Sequence, residues 1–371
     1  MPTEPLTSRC LACSGPLALA LDLERDVAVT SDCHVVDDRI RVFRCERCNT
    51  LQKIPTAAYL AKVDEIYRTY RSYELTDGHE QVKFQGGIPR ARSDILLDNV
   101  AECLPDGGDF LDVGTGAGVF LRAVHKRFGA RANLYAHDVT AAAHEALAAT
   151  LPIREFFAGD LTAIDRRFDV VSMVHVLEHV PTPLAVLEQV GHLLKDDGVF
   201  LVQVPDLEET VFDTVIFDHV FHFSPATVLA LLREAFPLCV IPERKIHNET
   251  TVLAGKRAGR LARTNRPTPK PRPIDLARVS RAVRYLTSAS EPIAVFGVAP
   301  TGTFCGALLG PRLACFVDED AKIQHKRHLD KLILPPDEVD PGVKVFLPTN
   351  RNSEAIRSRL TQLRFVTEGD I

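Results

Sequence analysis

From residue 109 onward the chain alternates between two hydrophobic periods. Short apolar runs at Asp109–Val113, Asn133–His137, Asp169–Met173 and Val199–Val204 read as buried strands. Between them lie stretches with apolar residues at three- and four-residue spacing. Pro183–Lys195 is one, with Leu184, Leu187, Val190 and Leu194 predicted on one helical face. Strands alternating with helices predict a parallel, doubly wound α/β sheet. A second strand–turn–helix unit is predicted over Pro292–Leu309, then a strand Leu313–Val317 running into Asp318-Glu319-Asp320. Earlier in the chain the pattern differs. Residues 59–100 read as mainly helical, through Ala57–Tyr70 and Ala91–Cys103. Residues 1–58 read as β-rich, but their apolar runs, Leu17–Leu23 and Arg39–Phe43, are too few for a core of their own. The segment RLARTNRPTPKPRP at 260–273, with four prolines and four arginines, reads as an extended linker. The expected organisation is a module at 1–58, a helical lid segment at 59–100, an α/β domain at 101–259, the linker, and a second α/β domain at 274–371.

Composition narrows the function. The 371 residues carry 44 Lys and Arg against 49 Asp and Glu, a net charge of −5. A general nucleic-acid binder is expected to be basic, so that class is set aside. No run approaches the roughly 18 apolar residues of a membrane span. The opening MPTEPLTSRC lacks the basic-then-apolar layout of a secretory leader, and a cytoplasmic location is expected.

Nine cysteines, an odd number, do not suggest a disulfide framework. Cys103, Cys239, Cys305 and Cys315 sit among apolar neighbours and read as small core residues. Cys10-Leu-Ala-Cys13 and Cys45-Glu-Arg-Cys48 are two CxxC loops, a pattern that completes a four-thiolate zinc site with no open position, hence a structural one. A redox pair would need a thioredoxin-like setting. Cys33-His34 is a substitute ligand to be weighed.

Phe110-Leu111-Asp112-Val113-Gly114-Thr115-Gly116-Ala117-Gly118 closes a predicted strand and opens a helix. A dinucleotide fingerprint would place Gly or Ala where Val119 stands. Asp138 closes the next strand, followed by Gly159-Asp160-Leu161, Phe168-Asp169-Val170-Val171, His175-Val176-Leu177-Glu178-His179-Val180 and Leu193-Leu194-Lys195-Asp196-Asp197-Gly198. In that order these segments resemble a class I S-adenosylmethionine-dependent methyltransferase. The resemblance implies donor contacts from Asp112, Gly114, Thr115, Gly116, Gly118, Asp138, Asp160, Leu161 and His175.

The whole chain resembles the three-part sugar C-methyltransferases, which join a zinc module, a donor domain and a C-terminal α/β domain and act on nucleotide-bound 4-keto sugars. Val295–Gly302 and Phe316–Asp320 stand at the family's C-terminal strand-and-glycine turn and second strand. The family's Tyr-x-Glu-His-x-x-Tyr-Phe-Ser stretch corresponds to Ile216-Phe217-Asp218-His219-Val220-Phe221-His222-Phe223-Ser224. The histidine is kept; the glutamate is aspartate, and the tyrosines are isoleucine and histidine. Tyr67–Tyr73 resembles the family's tyrosine-containing stretch.

C-methylation needs a base and an oxyanion donor. His219 is the expected base, supported by Asp218 or a neighbour. His222 or Tyr70 is expected to donate to the enolate oxygen, and His179 to line the pocket. On a helix, His219 and His222 would share a face, and His175 and His179 would form an i, i+4 pair. The basic run His325-Lys326-Arg327-His328 reads as solvated surface, with a diphosphate contact as the alternative. The expected partner is a small molecule, a nucleotide sugar or glycan precursor; a homo-oligomer is allowed. Two other readings stand beside this one: O-methylation of a sugar or polysaccharide precursor, and a non-catalytic donor-binding scaffold.

Overall fold

The alternation that begins near residue 109 builds a seven-stranded sheet in the computed structural model. The structure describes residues 9–71, 74–76, 78–80, 82–85, 88–263, 270–348, 353–367 and 369–371. Tyr73 and the central part of the 260–273 linker lie outside the described residues.

Across this sheet the strands run Ile153–Ala158, Ala132–Asp138, Gly108–Val113, Phe168–Val174, Leu194–Pro205, Glu249–Gly255 and Leu238–Val240. In chain order that is third, second, first, fourth, fifth, seventh, sixth. The first five are parallel, and Glu249–Gly255 runs against its neighbours on both sides. The reversed strand brings its first residue, Glu249, opposite Pro205 at the C-terminal end of the fifth strand. The chain order also reverses about the first strand, and ligands bind in the crevice outside such a switch point.

The helix Pro183–Leu193 buries Leu187, Val190 and Leu193, while Leu184 stays 39% exposed. The expected apolar face is therefore displaced by one position at its start. Residues 59–100 depart further from expectation. Helices Ala57–Thr69 and Arg92–Val100 form as read, but an antiparallel hairpin, Val82–Gln85 with Ile88–Ala91, lies between them. Pro89 and a Gly-Gly pair supply the break in helical pattern that admits it.

The N-terminal residues do not form a core alone. Strands Leu17–Asp22, Arg41–Cys45 and Leu51–Gln52 are completed by a strand from far along the chain, Phe221–His222. A second mostly parallel sheet spans residues 293–366, in the order Arg327–His328, Lys331–Leu334, Leu313–Val317, Ile293–Phe296, Lys344–Phe346, Arg364–Val366. One continuous apolar cluster joins Val29, Ile40 and Leu51 to Phe304, Leu308 and Phe316 of this C-terminal unit. The four scattered cysteines, Cys103, Cys239, Cys305 and Cys315, are buried. No helix among the described residues is long and apolar enough to cross a membrane.

Candidate active site

The loop after the first strand holds Gly114, Gly116 and Gly118 at φ of 69°, 47° and 72°, where any side chain is strained. A β-carbon on Gly114 would come within 2.6 Å of Val176 Cγ2, so the loop presses directly on the segment after the fourth strand. The amides of Gly114 and Thr115 both donate to the His137 carbonyl at 2.9 Å. Gly116 donates to one carboxylate oxygen of Asp138 at 3.0 Å, and Val139 donates to the other at 2.8 Å. Each oxygen keeps lone-pair capacity, so the half-buried carboxylate can still accept from a pair of hydroxyls.

Asp112 behaves differently from the expectation that it touches the donor. It is 3% exposed and accepts from the Ser172 hydroxyl at 2.7 Å. Burial raises its pKa to about 7, against the opposing Ser172 and Thr115 hydroxyls. Its place is between the first and fourth strands, bracing the turn from within. Leu161 is likewise buried in the core, while Asp160 is exposed and caps its own turn by accepting from the Thr162 amide and hydroxyl at 2.8 and 2.7 Å.

A cavity of about 830 Å³ is bounded by all three parts of the chain. Tyr70, His175, His179, His219 and Glu249 line one side. Gly297–Thr301 and Asp318, from the switch point of the C-terminal sheet, line the other. Arg327 and His328 also face the cavity, and His328 bonds Thr303 at 2.8 Å. The reading of the 325–328 run as solvated surface is corrected at His328; Arg327 is exposed at the cavity mouth.

His219 sits on no helix. It is 4% exposed, and its Nδ1 lies 2.8 Å from Asp213 Oδ1. Burial alone would lower the pKa of His219; the Asp213 charge and hydrogen bond outweigh it, and the value is raised. The same interaction holds the Asp213 carboxyl below the usual carboxylate range despite burial. Asp213 was missed by sequence reasoning: it stands six residues before His219 in a short 3₁₀ turn, a spacing with no motif behind it.

His222 is not where an oxyanion donor is needed. Its Nδ1 lies 2.6 Å from the other Asp213 oxygen, and its Nε2 is 3.5 Å from Lys53 Nζ. Burial, with the Lys53 charge, lowers its pKa to about 4, so it is neutral and lies behind Asp213 rather than against the cavity. Asp218 turns toward the N-terminal sheet. It accepts from the Ser31 amide at 2.8 Å and the Ser31 hydroxyl at 2.5 Å. Tyr70 stays in the cavity wall with its hydroxyl 3.1 Å from Ser31 Oγ. His179 donates to the Asp218 carbonyl at 2.9 Å and packs edge-on against the His219 ring at 4.7 Å.

His175 and His179 do not share a helix either: His175 has φ of 56° and starts a tight turn. At the other end of the chain, the thiols of Cys10, Cys13, Cys45 and Cys48 converge within 4.8 Å of one another. Cys33 lies apart from them in the cavity wall, so it is no substitute ligand.

Residues 86–236 match the family model described as a methyltransferase domain. A ubiquinone biosynthesis O-methyltransferase of Actinobacillus pleuropneumoniae serotype 7 (strain AP76) is 37% identical over 105 residues, covering 25% of this chain and 44% of that protein. The chain thus spans less than half the length of that curated relative. Among solved structures, a SAM dependent methyltransferase from Aquifex aeolicus aligns with TM-score 0.38 and 19% identity, over 52% of this chain and 97% of that one. The trans-methyltransferase CalH complex with SAH aligns with TM-score 0.36 and 18% identity, over 43% and 54%. Taken with the glycine loop and the carboxylate at the end of the second strand, the match makes residues 86–236 a methyltransferase domain of the class I, S-adenosylmethionine-dependent type.

Proposed function

We propose that this protein methylates a carbon atom of a nucleotide-linked keto-sugar or related glycan precursor, with His219 as general base. The observation that carries this reading is the Asp213–His219 pair in the wall of the cavity that the C-terminal glycine turn also lines. Gly114, Gly116, Gly118 and Asp138 would hold the donor, which supplies an electrophilic methyl group on a sulfonium. The crevice fits it: the left-handed glycines leave the backbone bare, and Asp138 offers two acceptor oxygens to a ribose diol.

Asp213 fixes the imidazole with Nδ1 protonated, which leaves Nε2 as the basic nitrogen. His219 takes a proton from the carbon next to the ketone, and the electron pair moves onto the ketone oxygen. Tyr70, already in the cavity wall, donates to that oxygen. The enolate carbon would then take the methyl group as the methyl–sulfur bond of the donor breaks, its electron pair staying on sulfur to leave a neutral thioether, and the proton rests on His219 until solvent removes it.

The four cysteine thiolates hold a structural zinc ion in this reading. Cys10 and Cys48 sulfurs are 3.7 Å apart, and Cys13 and Cys45 sulfurs 3.5 Å. A tetrahedron with bonds of about 2.3 Å has edges of about 3.8 Å, close to both.

A second reading is methylation at oxygen, since the matched curated relative is named an O-methyltransferase. The two are separated by incubating the protein with a ¹³C-methyl donor and a panel of nucleotide 4-keto sugars. The expected product carries a new carbon–methyl bond by NMR. A methyl ether establishes the second reading, and no labelled sugar across the panel overturns both.

A further inference from the structure

Behind His219 lies a buried chain of polar groups that ends on a cation. Lys53, at the exit of the strand Leu51–Gln52, is 5% exposed. Its ammonium donates to the carbonyl of Ile216 and, at 2.9 Å, to that of His219. It also faces His222 Nε2 at 3.5 Å. On the far side of that ring, Nδ1 meets Asp213 Oδ2 at 2.6 Å, and Asp213 Oδ1 meets His219 Nδ1 at 2.8 Å. Four side chains from two distant segments thus connect the N-terminal sheet to the cavity wall, which His219 lines.

The chain has a direction. An ammonium carries three donors and no acceptor, and a neutral imidazole has one N–H and one bare nitrogen. Burial, with the Lys53 charge, holds His222 neutral, at a pKa of about 4. Of the charged groups acting on His222, Asp213 favours the imidazolium, while Lys53 and His219 oppose it. Lys53 itself is lowered to about 8 by burial, against the Asp213 and Asp218 charges, so it is still a cation at neutral pH. His222 therefore turns a bare Nε2 toward Lys53 and aims its proton, on Nδ1, at Asp213. The Lys53 contact is long for a hydrogen bond and acts through charge: a cation there attracts a lone pair and repels an N–H.

The direction matters when His219 takes a proton. Were His222 an imidazolium as well, one carboxylate would serve two cations. We infer that Lys53 is a positioning residue for the base: its ammonium pins His222 as the neutral imidazole protonated on Nδ1, and so keeps the Asp213 charge for His219. This inference rests on the reading of His219 as base. It gives a residue of the N-terminal sheet, 166 positions from His219, a part in the proton step without contact with the cavity. Bracing the two carbonyls needs only donors, whereas the lock on His222 needs the charge.

The test is ¹⁵N NMR of the imidazoles in full-length protein labelled at histidine, with His222 assigned by its loss in His222→Phe. In the wild type His222 should show a protonated Nδ1 and a bare Nε2, unchanged across neutral pH. Lys53→Met removes the ammonium; Lys53→Gln removes the charge but keeps donors for the carbonyls. In both, His222 should titrate near neutrality or carry its proton on Nε2. In both, kcat on the keto-sugar should fall roughly tenfold, part of the 10²-fold or more that a general base supplies, while S-adenosylhomocysteine binding by calorimetry stays within about twofold. Adding Lys53→Met to His222→Phe should bring no further loss, since the effect passes through that ring. A wild-type His222 that is charged at neutral pH, or protonated on Nε2, overturns the inference whether or not the variants fold. Unchanged His222 signals in a folded variant overturn it, and so does a fully additive loss in the double variant, which would leave Lys53 as a brace for the carbonyls alone. Protein whose His222 responds as stated but which turns over no keto-sugar overturns the reading of function and leaves the lock standing.

Discussion

Two of the clusters of metal-seeking side chains among the described residues are built on opposite principles. Cys10, Cys13, Cys45 and Cys48 form one; Asp213, His219 and His222 form the other. The cysteines bring four soft donors together, and on the zinc reading proposed above a metal would hold their thiolates. The second cluster is satisfied by itself. Asp213 takes one imidazole on each oxygen, and Lys53 stands behind His222. A cluster that is already hydrogen-bonded is free to do proton chemistry with the nitrogen left over. On the proposed reading, similar geometry serves as a staple in one case and as a base in the other.

The clusters are also mechanically connected. The strand Leu51–Gln52, just beyond Cys48, pairs with Phe221–His222, just beyond His219. Lys53 donates to the carbonyls of Ile216 and His219 across the same junction. The largest expected effect follows from this. Purified protein should contain about one zinc per chain by elemental analysis, and stripping it with a strong chelator should abolish turnover together with the main thermal transition. Structural zinc supplies folding energy outright. Full activity in metal-free protein would separate the two clusters.

The next effect in size concerns the base. His219→Ala should lower kcat by at least about 10²-fold, the low end for general base catalysis, with donor affinity near wild type. Turnover unchanged in steady-state assays would remove His219 from the mechanism.

The smallest effect is the most discriminating. The Asp213 charge raises the His219 pKa, and a base works only when unprotonated. Wild-type kcat/KM should therefore rise with pH through a value raised from that of an ordinary histidine. In Asp213→Asn the charge is gone, so that limb should move toward acid while the plateau falls roughly tenfold. A pH profile with an unmoved limb would show that Asp213 only packs the loop.

Particular residues show where sequence reading succeeded. The two CxxC loops, the glycine turn at 114–118 and the parallel strands around it were legible because each depends on short-range geometry: a turn, a left-handed backbone, a repeating period. His219 and Tyr70 were placed near the cavity by resemblance, and they line it. Asp112 and His222 were assigned to ligand contact, but burial puts them in supporting positions. Asp213, Ser31, Lys53 and Glu249 were not found at all. Ser31 meets Asp218 across 187 residues, and no local pattern carries such a pairing.

What the sequence by itself determined is the type of each element and the chemistry available to it. Hydrophobic period sets strand or helix, and glycines and paired cysteines mark the places where backbone or sulfur must come close. Which carboxylate supports which histidine was decided only by the tertiary structure. The reversed strand carries Glu249 to the crevice, and the pairing of Phe221–His222 with the N-terminal sheet packs His222 behind Asp213 and leaves His219 facing the cavity. Contacts of that kind depend on how distant segments share one core, and the energy that selects them is spread over many buried side chains.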